Sequence, residues 1–150
     1  MTTTLKRTNS TNADFLSLVA KLDAELVDMY GEQMDFYGQY NKVDKLNNCI
    51  VIYDDNVPVA CGAFKEYEPG VAEVKRMYVE PGARGKGFSK QVLGALEVWA
   101  TELGYHQIIL ETGDQQIPAM ALYNSMGYLE TENYGQYIGA PSSVCYAKSL

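Results

Sequence analysis

The chain's hydrophobic period changes at Pro81–Gly87, and this constrains the fold most. From Cys49 up to that loop the apolar runs are short and bounded by turns. After it, Val92, Leu93, Leu96, Trp99, Ala100 and Leu103 fall at i, i+1, i+4, i+7, i+8 and i+11, one wide apolar face of a helix. Strand, glycine-rich loop and amphipathic helix in succession mean that a sheet is covered by helices.

The rest of the chain fits that plan. Thr3–Thr8 predicts a first strand. Ser10–Asp14 is a helix-start signal, followed at helical spacing by Phe15, Leu18, Val19, Leu22, Leu26 and Met29, with Gly31 ending the helix. Residues 32–46 predict a short second helix and a loop. Cys49–Tyr53 and Val57–Glu66 form a hairpin about Asp54–Asn56, and Val71–Val79 extends it as a meander. Gly104 closes the helix after the loop. Gln107–Leu110 is a buried strand. A helix starts near Pro118 and ends at Gly127, and strands begin at Tyr128 and Ser143. The expected fold is one α/β (α+β) domain over 1–150, with a mixed, mostly antiparallel sheet of six to seven strands and about four flanking helices.

Charge is unevenly spread. The chain is 150 residues long with a formal net charge of −7, which disfavours nucleic acid and anionic membrane as partners. Yet residues 73–90 hold five basic groups (Lys75, Arg76, Arg84, Lys86, Lys90) against Glu73 and Glu80. By charge alone a solvated basic face explains this window equally well. No segment reads as a signal peptide or a membrane span. Cys49, Cys61 and Cys145 are too far apart in sequence for a zinc motif, so they read as buried thiols in a reducing cytoplasm, with no metal expected.

The basic window surrounds the glycine-rich loop. Glycines let backbone approach an anion, and the first helical turn adds open N–H groups and a positive dipole end. Two familiar phosphate fingerprints fail. After Gly82 and Gly87 a triphosphatase loop needs Lys and then Ser/Thr, but Phe88 and Ser89 follow. A dinucleotide fingerprint needs a glycine where Lys90 stands.

A third pattern fits. Arg84-Gly-Lys-Gly87-Phe-Ser89 resembles the Gln/Arg-x-x-Gly-x-Gly/Ala signature of the GCN5-related N-acetyltransferase (GNAT) superfamily, departing from it only at Ser89. Glu73–Val79 is similar to that family's fourth strand. Glu111-Thr-Gly and Ala121–Tyr128 are similar to its fifth strand, fourth helix and sixth strand. The resemblance spans about 73–128.

The resemblance implies an acetyl-coenzyme A-dependent transfer of an acetyl group to a primary amine, by direct attack in a ternary complex. Met77, Tyr78 and Val79 would pair with the pantetheine arm. Backbone from Arg84 through Gly85, Lys86, Gly87 and Phe88 to Ser89 would hold the pyrophosphate, with Asn124 also near the cofactor. Glu73 would be the base and Glu111 a second candidate. Strand alternation sets Glu73, Lys75, Met77 and Val79 on one face. An alkyl ammonium of pKa about 10.4 is neutral only about once in 10³ at pH 7, which makes a base useful. Tyr123 matches the family tyrosine near the coenzyme sulfur, placed to protonate a leaving thiolate. The acceptor site would come from residues 29–40 and 130–142, with Tyr30, Glu32, Tyr37 and Tyr134 as candidate contacts beside Phe36 and Tyr137. The acidic first half suggests a cationic acceptor, either a small molecule or a protein amine. A homodimer is a permitted assembly. The alternative reading is a non-catalytic acyl-coenzyme A sensor.

Overall fold

The protein is seen as a computed structural model, which describes residues 2–31 and 45–150. Its elements in chain order are β1 (Thr3–Thr8), α1 (Ala13–Tyr30), β2 (Asn48–Asp54), β3 (Val57–Glu68), β4 (Val71–Val79), α2 (Phe88–Glu102), β5 (Gln107–Gly113), α3 (Ile117–Ser125), β6 (Leu129–Thr131) and β7 (Ser143–Ser149). The strands make one seven-stranded sheet in the order β1-β2-β3-β4-β5-β7-β6. Every pairing is antiparallel except β4 with β5, which is parallel.

Among the described residues there are three α-helices, where the sequence predicts about four. The fourth was expected at 32–46, and residues 32–44 lie outside the described part. The other elements follow their local signals. Asn12 caps α1 by accepting from the Phe15 N–H at 2.9 Å. Val92, Leu93 and Leu96 are fully buried as the helical spacing of α2 requires.

Two cores flank the sheet. On one face α2 and α3 pack Phe88, Leu93, Leu96 and Tyr123 against Ile50, Phe64, Val74 and Ile108. On the other, α1 packs Phe15, Leu18, Val19 and Leu22 against Cys49, Val51, Cys61 and Tyr78. The three cysteines are buried and unpaired, as expected from their apolar strand positions. Burial raises the Cys49 and Cys61 thiols to about 12, which keeps them protonated and unreactive.

Candidate active site

The site begins as a gap in the sheet. β4 and β5 pair only through Val71–Gln107, Ala72–Ile108 and Glu73–Ile109. Beyond these the two strands run on, to Val79 and Gly113, without pairing each other. On its other edge β4 carries a bulge. The register with β3 jumps from Ala63–Lys75 to Cys61–Tyr78, and Arg76 takes a left-handed φ of 60°. A bulge bends and re-aims its strand. Here it also shifts the side-chain alternation by one residue. Met77 and Val79 pack with Ala72 and Val74 towards α2, so Glu73 and Lys75 face the opposite side. The single-face arrangement expected for Glu73, Lys75, Met77 and Val79 does not hold, because alternation counted along the sequence cannot include a bulge. Gly62 lies opposite the bulge, and a Cβ there would stand 2.6 Å from both Met77 Sδ and Val92 Cγ1.

Two connected cavities occupy the gap. The larger, about 300 Å³, is bounded by Met77, Tyr78 and Val79 of β4, by Arg84, Gly85 and Gly87, and by Phe88 and Ser89 in the first turn of α2. The smaller, about 100 Å³, is bounded by Tyr30, Lys75, Arg76, Glu111 and Tyr137. Leu22, Met77, Gln116 and Tyr123 border both. Tyr123 therefore stands where they join.

The loop has the backbone that its glycines allow. Gly85 and Gly87 adopt φ of 80° and 83°, and Gly87 is the N-cap of α2. A Cβ at either would meet nothing within 4 Å, so there is open space beside both glycines. The first N–H groups of α2 have no partner within the helix and carry the positive dipole end. The side chains depart from the expected pattern. Arg84 donates from Nε to the Val79 carbonyl at 2.9 Å, and its Nη2 pairs with Glu25 at 2.7 Å. Phe88 sends its ring into the core. Lys86 is exposed and borders neither cavity. Asn124 is also exposed, hydrogen-bonds Tyr146 and borders neither cavity.

The smaller cavity is backed by a polar cluster. Tyr134 donates to Glu73 Oε2 at 2.6 Å, and Lys75 Nζ lies 3.4 Å from the same oxygen. Lys75 also donates to the Tyr137 hydroxyl at 3.0 Å. Ser143 donates to Glu111 Oε2 at 2.6 Å. Glu73 is 1% exposed and borders neither cavity, whereas Glu111 borders the smaller one. Burial raises the Glu111 carboxyl above its ordinary range, against the pull of Ser143 and Lys75. Burial lowers the Lys75 ammonium, with Glu73 opposing.

The Tyr123 ring packs against Tyr128 and Tyr146. Burial, then the charge of Glu111, pushes its phenol upward, so it stays protonated. Among the described residues its hydroxyl has no hydrogen-bond partner.

Of the expected acceptor contacts, Tyr30 borders the smaller cavity and accepts from the Gln115 N–H at 3.2 Å. Tyr134 borders neither cavity and instead holds Glu73. Glu32 and Tyr37 lie outside the described residues. Sequence reasoning missed Lys75, Arg76 and Gln116 as cavity-lining residues. Lys75 and Arg76 carried a signal in the basic window, but Gln116 carried none.

The sequence profile described as the Acetyltransferase (GNAT) family matches residues 15–128. The chain belongs to this family. A relative named IAA acetyltransferase, from Azospirillum brasilense, is 30% identical over 149 residues, covering 98% of this chain and 97% of its own. A solved structure from Klebsiella pneumoniae, provisionally described as an acyl-CoA N-acyltransferase, is 31% identical with a TM-score of 0.83, covering 99% of this chain and 97% of its own. A Bacillus subtilis acetyltransferase solved with CoA has a TM-score of 0.71 at 18% identity and shares the fold, covering 99% of each chain.

This GNAT protein is an acetyl-coenzyme A-dependent N-acetyltransferase. Its own residues fit the cofactor: a strand edge left unpaired by the gap, a loop with two left-handed glycines, and the N-terminus of a 15-residue helix all border the larger cavity. Among the described residues no group of three or more His, Cys, Asp or Glu side chains could hold a metal ion. No helix there is long and apolar enough to cross a membrane.

Proposed function

We propose that the whole chain is one N-acetyltransferase domain that acetylates a primary amine by direct attack in a ternary complex. The observation that carries this is the placing of Tyr123 at the junction of a backbone-lined and a side-chain-lined cavity. The cofactor supplies an activated acetyl thioester. Met77, Tyr78 and Val79 hold its pantetheine arm with their unpaired edge. The backbone from Arg84 to Ser89 binds its pyrophosphate, with the α2 dipole adding to that attraction.

The acceptor amine enters the smaller cavity. Its proton goes to Glu111, the carboxylate that borders that space. Glu73 acts from behind by holding Lys75 in place. The sequence had ranked Glu73 first, and its burial reverses that order. Tyr123 donates its hydroxyl proton towards the leaving thiolate. The phenol is protonated across the neutral range, and the burial that raises it also makes it a weaker acid. Buried free thiols fit a reducing cytoplasm as the place of action.

The test follows free thiol release from acetyl-coenzyme A with a panel of primary amines. Transfer to at least one amine is expected. Coenzyme binding with no transfer across a broad panel would favour the sensor reading.

A further inference from the structure

We propose that the acceptor amine also carries a carboxylate, as an amino acid does, and that Arg76 recognises it. This rests on the acetyl-transfer reading above and names its substrate class.

Arg76 borders the smaller cavity, and its side chain is only 5% exposed. Nη1 bonds Asp23 Oδ1 at 2.6 Å, while Nη2 is buried with no partner among the described residues. A guanidinium is always charged and offers a planar fork suited to bidentate carboxylate binding. Asp23 engages one arm of that fork, from a carboxylate that is itself 43% exposed. Buried donors are nearly always paired, so an orphaned one on a cavity wall points to a missing acceptor.

The backbone supports this. Simple alternation would turn Arg76 towards α2 with Val74. The bulge, with its left-handed φ at a non-glycine residue, brings it to the α1 side, where Asp23 lies. Such conformations are costly and concentrate at functional sites. Arg76 and Lys75 make the β4 wall cationic, and Glu111 stands on the β5 side. A zwitterion matches both walls: carboxylate to Arg76, amine to Glu111. The acidic first half of the chain had pointed to a cationic acceptor, but Asp23 from that half is already spent on Arg76.

The experiment compares kcat/KM at saturating acetyl-coenzyme A for free amino acids and their carboxamides. The wild type is expected to favour the acids by about tenfold or more, as a charge-assisted hydrogen bond allows. Arg76→Gln should bring acid and amide to parity, chiefly through KM, with acetyl-coenzyme A binding unchanged by calorimetry. Asp23→Asn keeps the guanidinium and should keep the preference. Binding of N-acetyl amino acids to the coenzyme A-loaded protein tests the anion site without turnover. Equal use of acids and amides by the wild type overturns the proposal, as does a preference that survives in Arg76→Gln. No transfer to any amine, with N-acetyl amino acid binding retained and lost in Arg76→Gln, keeps the anion site and overturns the acetyl-transfer reading. No transfer and no carboxylate binding overturns both.

Discussion

The two ends of the cleft are built by different means. The proposed cofactor end, the larger cavity, takes half of its lining from one contiguous stretch, 77–89, and the groups proposed to bind there are backbone: an unpaired strand edge, two left-handed glycines and a helix N-terminus. The proposed acceptor end, the smaller cavity, is lined by Tyr30 from α1, Lys75 and Arg76 from β4, Glu111 from β5 and Tyr137 from the loop before β7, and in the proposed mechanism these would act through side chains. Backbone recognition needs only small residues and the right local conformation. Side-chain recognition needs distant elements brought together. The comparison predicts that single substitutions at the acceptor end and the junction change turnover, while those at the cofactor end have smaller effects.

Tyr123→Phe tests the junction most sharply. It removes one oxygen and leaves the ring packing on Tyr128 and Tyr146. Turnover should fall about 10²-fold, the lower end of general acid catalysis, with cofactor binding unchanged. Unaltered turnover would remove Tyr123 from the mechanism.

Glu111→Gln should cost about 10-fold or more in kcat/KM and exceed the loss in Glu73→Gln. The sign of the pH dependence follows from the raised carboxyl. Glu111 is protonated, and inactive as a base, below its elevated pKa, so activity climbs with pH above the ordinary carboxylate range of about 4.3. The Gln variant should lose that acid limb. A pH–rate profile whose acid limb is the same in both proteins would return the base role to another group.

Gly62→Ala probes the scaffold between the two ends. Its methyl would press on Met77 and Val92, at a cost of about 1–3 kcal/mol. A Tm lower by several degrees is expected from thermal unfolding, and an unchanged Tm would show that Met77 and Val92 yield freely. The smallest effect is expected from Lys86→Ala at the cofactor end. Lys86 is exposed, so coenzyme affinity should weaken about two- to threefold at low salt and match the wild type at high salt. A larger, salt-independent loss in calorimetry would mean that the loop binds through side chains after all.

The same contrast explains what was legible in the sequence. All seven strand starts, to within one residue, and the α2 face could be read from alternation, helical spacing and turn residues, because each is a local effect. The Gly85–Gly87 conformation was legible because few residues other than glycine adopt it readily. Tyr123 was legible through the motif around it. The ordering of Glu73 and Glu111 was not, since burial by Tyr134, 61 residues away, decides it. Nor was the turning of Arg76 onto the α1 side, because one bulged residue inverts every later position on the strand.

By itself, then, the sequence determined the mixed architecture, the glycine-rich loop and the family to which the chain belongs. All three depend on residues close together in the chain. The tertiary structure alone decided which carboxylate meets the cleft, where Arg84 and Arg76 direct their charge, and that β4 and β5 part after three pairs. These depend on strand divergence, burial and long-range pairing, which no local pattern of residues records.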